Sequence, residues 1–267
     1  MVPGHPMDAL TEIAGRLETA ARTATPVAPV ADDLPERSVS AAYRVQEINT
    51  RHALDRGRRL IGRKIGLTSA AVQNQLGVDQ PDYGMLFADM EIVNGGKIAP
   101  GLLIAPKVEA EIAFILKHGL DHTGIGLGDV LDAIDWVAPA LEIVDSRIAG
   151  WAISIYDTIA DNASSGRFVL GETARRLDGL DLRLCGMVLE HNGIPASLGV
   201  GAACLGHPLN AVRWLAEVMA KSGRPLGAGD IILSGALGPM IAASPGDGFS
   251  AQIGGLGTVS VGFAPLA

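Results

Sequence analysis

Pro106-Lys107-Val108-Glu109-Ala110-Glu111-Ile112-Ala113-Phe114 alternates apolar Val108, Ala110, Ile112 and Phe114 with Glu109 and Glu111. A period of two is that of a β-strand, in which successive side chains point to opposite faces. The two carboxylates therefore share one face, with an apolar layer on the other. Like charges so close repel, and a hard divalent cation such as Mg²⁺, which takes oxygen ligands, would relieve them. For a bare Glu-x-Glu, a solvated strand face is the commoner reading. A third acid shifts the balance. Glu142 lies in Pro139-Ala140-Leu141-Glu142-Ile143-Val144, an apolar, β-branched run in which an unpaired carboxylate is costly to bury.

With 267 residues the chain can bury a core as one large domain or two small ones. Hydrophobic residues make up 48%, yet aromatics only 4%, and there are 34 glycines. That mixture favours small aliphatic packing and many turns, as in a β-rich fold. A net charge of −8 argues against a nucleic-acid surface. Cys185 and Cys204 lack the spacing of a zinc site or a disulfide framework and read as buried thiols in a reducing compartment. No apolar stretch approaches the ~20 residues that span a bilayer, and the N-terminus has no signal-peptide pattern. A soluble, cytoplasmic protein is expected.

Leu10, Ile13, Ala14 and Leu17 recur at helical spacing over 7–21, and Thr25-Pro26-Val27-Ala28-Pro29 breaks that helix. Ser38 or Ser40 would cap a second helix presenting Ala41, Val45, Ile48 and His52, ending before Gly57. This divides the chain into a helical cap over 1–58 and a β-rich catalytic domain over 59–267. The body opens with a strand around Leu60-Ile61-Gly62-Arg63-Lys64-Ile65, then a short helix over 69–77 and a turn-rich loop over 78–89. A helix over 127–137 precedes the Glu142 strand, and 151–165 reads as irregular or partly helical. Asn192-Gly193 between two apolar runs signals a hairpin. Pro208 fits the first turn of a helix through Met219, with Gly223 past its end. Strands follow over 231–233 and 259–263.

Lys64 sits in an apolar strand flanked by glycines. A lone lysine more often points into water; the functional alternative is a buried ammonium beside the acids. Burial would lower its pKa and nearby carboxylates would raise it. Asp82 after Pro81 reads first as a turn residue, and Ser164 and Ser165 as either a cap or substrate hydroxyls. No G-x-S-x-G, P-loop, G-x-G-x-x-G or H-E-x-x-H pattern occurs, so the common hydrolase, nucleotide and zincin motifs are absent.

Gly62-Arg63-Lys64-Ile65-Gly66-Leu67-Thr68-Ser69, Gln75-Leu76-Gly77-Val78-Asp79-Gln80-Pro81-Asp82-Tyr83-Gly84 and Asp157-Thr158-Ile159-Ala160-Asp161-Asn162-Ala163-Ser164 stand in order around the two acidic strands. Leu205-Gly206-His207-Pro208-Leu209-Asn210-Ala211 and Gly229-Asp230-Ile231-Ile232-Leu233-Ser234-Gly235-Ala236-Leu237-Gly238-Pro239-Met240 follow them. From about Ser38 onward the chain resembles the 2-keto-4-pentenoate (2-hydroxypenta-2,4-dienoate) hydratases of the fumarylacetoacetate hydrolase superfamily. The resemblance implies an α+β fold, with a mixed β-roll body and an N-terminal helical portion, assembled into homo-oligomeric rings. It implies that Glu109, Glu111 and Glu142 hold Mg²⁺ or Mn²⁺, that Lys64 and Asp82 are the acid/base residues, and that Ser164 touches substrate. The implied reaction adds water to a 2-hydroxydienoate to give a 4-hydroxy-2-oxo acid, a step of meta-cleavage degradation of aromatic or steroid compounds. Partners implied are the small-molecule substrate and a downstream aldolase or paired decarboxylase, with no nucleic acid and no membrane.

Three alternatives stand beside it. A 4-oxalocrotonate-type decarboxylase shares the fold and ligands, though Asp79-Gln80-Pro81-Asp82-Tyr83-Gly84 and Ala236-Leu237-Gly238-Pro239-Met240 look more like the hydratases. An acylpyruvate-type hydrolase would need a His-x-x-Glu pair, and His52 and His118 are each followed by Asp at that spacing. A non-catalytic ring subunit would not need Lys64 and three acids together.

Overall fold

Ser38 accepts a hydrogen bond from the Ala41 amide and so starts a helix at a residue whose own backbone is extended. That helix, α2 (Val39–Asp55), packs on α1 (Pro6–Thr23) in a computed structural model that describes residues 6–69, 73 and 80–266. Leu10, Ile13, Ala14 and Leu17 of α1 meet Ala41, Ala42 and Val45 of α2 in a buried cluster. The cluster also takes in Ile155, Ile159 and Ala160 of a short helix, α4 (Ile155–Ala160), so the two N-terminal helices lie against the later chain.

The body is two mixed sheets. Its strands are β1 (Leu60–Gly66), β2 (Asp82–Phe87), β3 (Glu91–Ile92), β4 (Lys97–Ile98), β5 (Lys107–Leu116), β6 (Ile134–Val144) and β7 (Ser165–Leu170). After β7 come β8 (Gly186–His191), β9 (Ile194–Val200), β10 (Ile231–Leu233), β11 (Ile241–Ala242), β12 (Gly248–Ile253) and β13 (Gly257–Phe263). The larger sheet runs β2-β1-β10-β5-β6-β7-β3, with β11 pairing β5; the smaller runs β4-β13-β12-β8-β9. Pairing is antiparallel except at β1–β10, β3–β7 and β4–β13. Val108, Ala110, Ile112 and Phe114 are fully buried, as the alternation of β5 requires, and join Leu141, Phe168, Leu189, Ala251 and Val259 in the main core. The remaining helices are α3 (Leu127–Ala133) and α5 (Pro208–Lys221), the latter with proline in its first turn.

Asn192 and Gly193, with φ of 52° and 77°, make the tight turn between β8 and β9, as a two-residue hairpin loop demands. Cys185 and Cys204 are free and buried. Two expectations need correction. The stretch 78–89 is not a continuous loop: Asp82–Phe87 form β2, with all six residues buried. Its turn-like glycine, Gly84, is there for close approach, since a Cβ would stand 2.3 Å from the Asn162 carbonyl oxygen. The helix expected over 127–137 stops at Ala133, and Ile134-Asp135-Trp136-Val137 already belongs to β6. Branched and aromatic side chains favour a strand there, and β5 pairs with it from Ile134 onward. The helix expected over 69–77 lies outside the described residues, apart from Ser69 and Gln73.

Candidate active site

Glu109 on β5 and Glu142 on β6 are direct cross-strand partners, and Glu111 lies two residues along the same face. One carboxylate oxygen from each of the three comes within 4.8 Å of the others. Glu111 and Glu142 are shut off from solvent, and Glu109 is half-buried. Burial pushes the Glu109 carboxyl up to about 7, reinforced by the charge of Glu142. Burial and the other two acids likewise hold Glu111 well above the usual carboxylate range. Burial raises Glu142 too, against the pull of the Lys64 ammonium.

Lys64 does not point into water. Its strand lies between β2 and β10, its Nζ is 3.1 Å from Glu142 Oε1, and it is 3% exposed. Burial acts to lower its pKa, but Glu142, Asp82, Glu109 and Glu111 outweigh that and hold the ammonium above its ordinary value. Asp82 starts β2 opposite Gly66 of β1. A Cβ on Gly66 would lie 2.1 Å from Asp82 Oδ1 and 3.6 Å from Lys64 Nζ. The missing side chain is therefore the space that the acid occupies, beside the lysine. Burial raises Asp82 to about 6, with Lys64 pulling the other way.

The donor set fits a hard divalent cation. Glu111 Oε2 accepts from the Gly235 amide at 2.8 Å, while Glu111 Oε1 and Asp82 Oδ1 are buried with no hydrogen-bond partner. Glu142 Oε1 faces Lys64 but lies off the hydrogen-bond line; the bond goes to Oε2 at 3.4 Å. Buried oxygens without partners are uncommon, and three mutually repelling carboxylates around them are the ligand chemistry of Mg²⁺ or Mn²⁺ rather than of a softer ion.

Ser164 is buried at the end of a turn that follows α4, and its hydroxyl lies 3.2 Å from Thr158 Oγ1. The structure thus joins Lys64, Asp82 and the three glutamates in one cluster and sets Ser164 on a separate turn packed against β2. Two contacts have no plain signature in the sequence. The Gly235 amide reaches Glu111 because Gly235, at φ 97°, leaves room for Thr68. The Asn162 carboxamide binds the backbone of Met85 on β2. Asp-Asn preceding two serines is the one local hint of the latter.

A family model for the fumarylacetoacetate (FAA) hydrolase C-terminal region matches residues 67–263. The TodF product hydratase of Pseudomonas putida is 57% identical over 96% of both chains. The 2-keto-4-pentenoate hydratase of Paraburkholderia xenovorans is 54% identical over 94% of both. Among solved structures, 4-oxalocrotonate decarboxylase from Pseudomonas putida G7, complexed with magnesium and adipate, superposes with a TM-score of 0.93 at 39% identity, covering 97% of this chain and 98% of that one. The chain belongs to the fumarylacetoacetate hydrolase superfamily and, within it, to the 2-keto-4-pentenoate hydratase family.

Proposed function

We propose that the protein hydrates 2-hydroxypenta-2,4-dienoate, or a close alkyl homologue, to a 4-hydroxy-2-oxo acid in meta-cleavage degradation of aromatic or steroid compounds. The observation that carries this reading is identity of 57% and 54% to hydratases over nearly the whole chain, against 39% to the decarboxylase whose fold it shares. Glu109, Glu111 and Glu142 would hold Mg²⁺ or Mn²⁺, which would supply Lewis-acid polarisation of the bound substrate. The reaction moves a proton from the 2-hydroxyl of the dienol to carbon five, leaving a 2-oxo-3-enoate, and then adds water across that alkene, its hydroxyl to carbon four and a proton to carbon three. Lys64 and Asp82, both buried, lie beside the acids and carry these proton transfers. Ser164 supplies a hydroxyl to the substrate.

We read 1–58 as a helical cap on a catalytic body over 59–267. The protein is a cytoplasmic homo-oligomeric ring that associates with a downstream aldolase or a paired decarboxylase. Among the described residues, no helix is long and apolar enough to cross a membrane.

The second reading, 4-oxalocrotonate decarboxylation, is favoured by the 0.93 TM-score alone. Incubation with the dienoate and Mg²⁺ in ¹⁸O-labelled water separates the two. The hydratase places label at carbon four, distinguishable from the exchangeable 2-oxo oxygen. Release of CO₂ from 4-oxalocrotonate with no hydration of the dienoate would overturn the proposal.

A further inference from the structure

Asn162, Ala163 and Ser164 are three consecutive left-handed residues, with φ of 54°, 51° and 54°, and none is glycine. That region is uphill for an L-residue, and such a run persists only where its surroundings hold it. Here the hold is specific. Asn162 Oδ1 accepts from the Met85 amide at 2.7 Å, and Asn162 Nδ2 donates to the Met85 carbonyl at 3.0 Å. Because β2 is the end strand of its sheet, the carboxamide fills the place of a further strand. Gly84 allows the turn to come this close: a Cβ there would meet Asn162 O at 2.3 Å and Ser165 Oγ at 2.6 Å. On its other side, Ser164 O accepts from the Asp145 amide at 2.8 Å, and Ser165 Oγ donates to Asn162 O at 2.8 Å.

We propose that Asn162 is a positioning residue, whose carboxamide ties the Ser164 turn to β2 and so fixes the Ser164 hydroxyl relative to Asp82 at the head of the same strand. The inference rests on the hydratase reading of the site. Only a carboxamide satisfies both backbone groups of Met85 at once; an aspartate keeps the acceptor and loses the donor, and an alanine loses both.

The test compares wild type, Asn162→Ala, Asn162→Asp, Ser164→Ala and the Asn162→Ala/Ser164→Ala double variant, assayed with 2-hydroxypenta-2,4-dienoate and saturating Mg²⁺. Misplacing a group that contacts substrate by about 1 Å costs up to about 10²-fold. Asn162→Ala should therefore lose about 10–100-fold in kcat/KM, Asn162→Asp less, while Mn²⁺ affinity stays within about twofold. In the Ser164→Ala background the further loss should nearly vanish, because the two residues act through one contact. Full additivity, or wild-type kcat/KM in Asn162→Ala, overturns the proposal. If Asn162→Ala does not fold, Asn162→Asp, which keeps the acceptor and loses only the donor, carries the test, and wild-type kcat/KM there overturns the proposal equally. Amide hydrogen exchange across 160–165 must also rise in Asn162→Asp. Unchanged protection defeats the clamp even if the wild-type protein hydrates no dienoate, an outcome that defeats only the functional reading.

Discussion

Lys64 Nζ lies 3.1 Å from Glu142 Oε1, although β10 and β5 separate their strands in the sheet. The sheet must curl for the two to meet, and the meeting puts a cation where the three acids need one. Lys64→Ala should lower turnover by about 10²–10⁴-fold, the usual share of a positioned proton donor or acceptor. Removing one partner of a buried ion pair costs about 3–5 kcal/mol, so its melting temperature in chelator should fall sharply and recover in part with Mg²⁺. Wild-type turnover in this variant would remove Lys64 from the chemistry.

Glu109→Gln, Glu111→Gln and Glu142→Gln should each weaken Mn²⁺ binding and activity together, because each removes a charged oxygen ligand. In chelator, Glu111→Gln should melt no lower than the wild-type protein, since it relieves repulsion in a cluster with a partnerless buried oxygen. Titration calorimetry and thermal melts read the two effects separately. Unchanged metal affinity in all three variants, or full wild-type activity in excess chelator, contradicts the assignment.

Asp247, away from the site, gives a pH signature. Burial pushes its carboxyl up, but hydrogen bonds from His191, Asn192 and the Ser244 amide outweigh this and hold it below the usual range. A depressed folded pKa contributes stability above the ordinary carboxylate value of about 3.9, and that contribution disappears as pH falls through the lower folded value. Asp247→Asn should therefore cost up to about 1 kcal/mol in urea unfolding at pH ~7, a gap that shrinks once the wild-type carboxyl is protonated in both the folded and the unfolded protein. A gap that persists undiminished in acid would contradict this account.

Gly62→Ala should be severely destabilising. The added Cβ would stand 1.9 Å from the Ile231 carbonyl oxygen, a backbone atom of β10 that cannot step aside. A loss of about 3 kcal/mol is expected, the upper end of what overpacking costs. Wild-type denaturant midpoints would show that β1 and β10 do not lie as described.

The legible parts of the molecule were those whose signal is local. The alternation of β5 fixes the face shared by Glu109 and Glu111, Ser38 marks the start of α2, and Asn192-Gly193 marks a hairpin, each within a few residues. The strand β2 is hidden because Pro81 and Gly84 read as turn residues, while the role of Gly84 is set by Asn162, far along the chain. Lys64 was undecidable for the same reason: whether it meets water depends on β10 covering the edge of β1, a pairing with partners 169 positions apart, Gly62 with Ile231. The acids could be read as a group, but not the Gly235 amide or the Asn162 carboxamide that organise their surroundings.

The late position of β10 sets an order of assembly. As the chain emerges during synthesis, β5 and β6 can pair early and bring the three glutamates together. Within the larger sheet, β1 joins β5 through β10, so that link waits for residues 231–233. Long-range parallel pairing of this kind is slow to form. The central strand of the larger sheet thus comes from late in the chain, and it is the strand that joins Lys64 of β1 to the glutamates of β5 and β6.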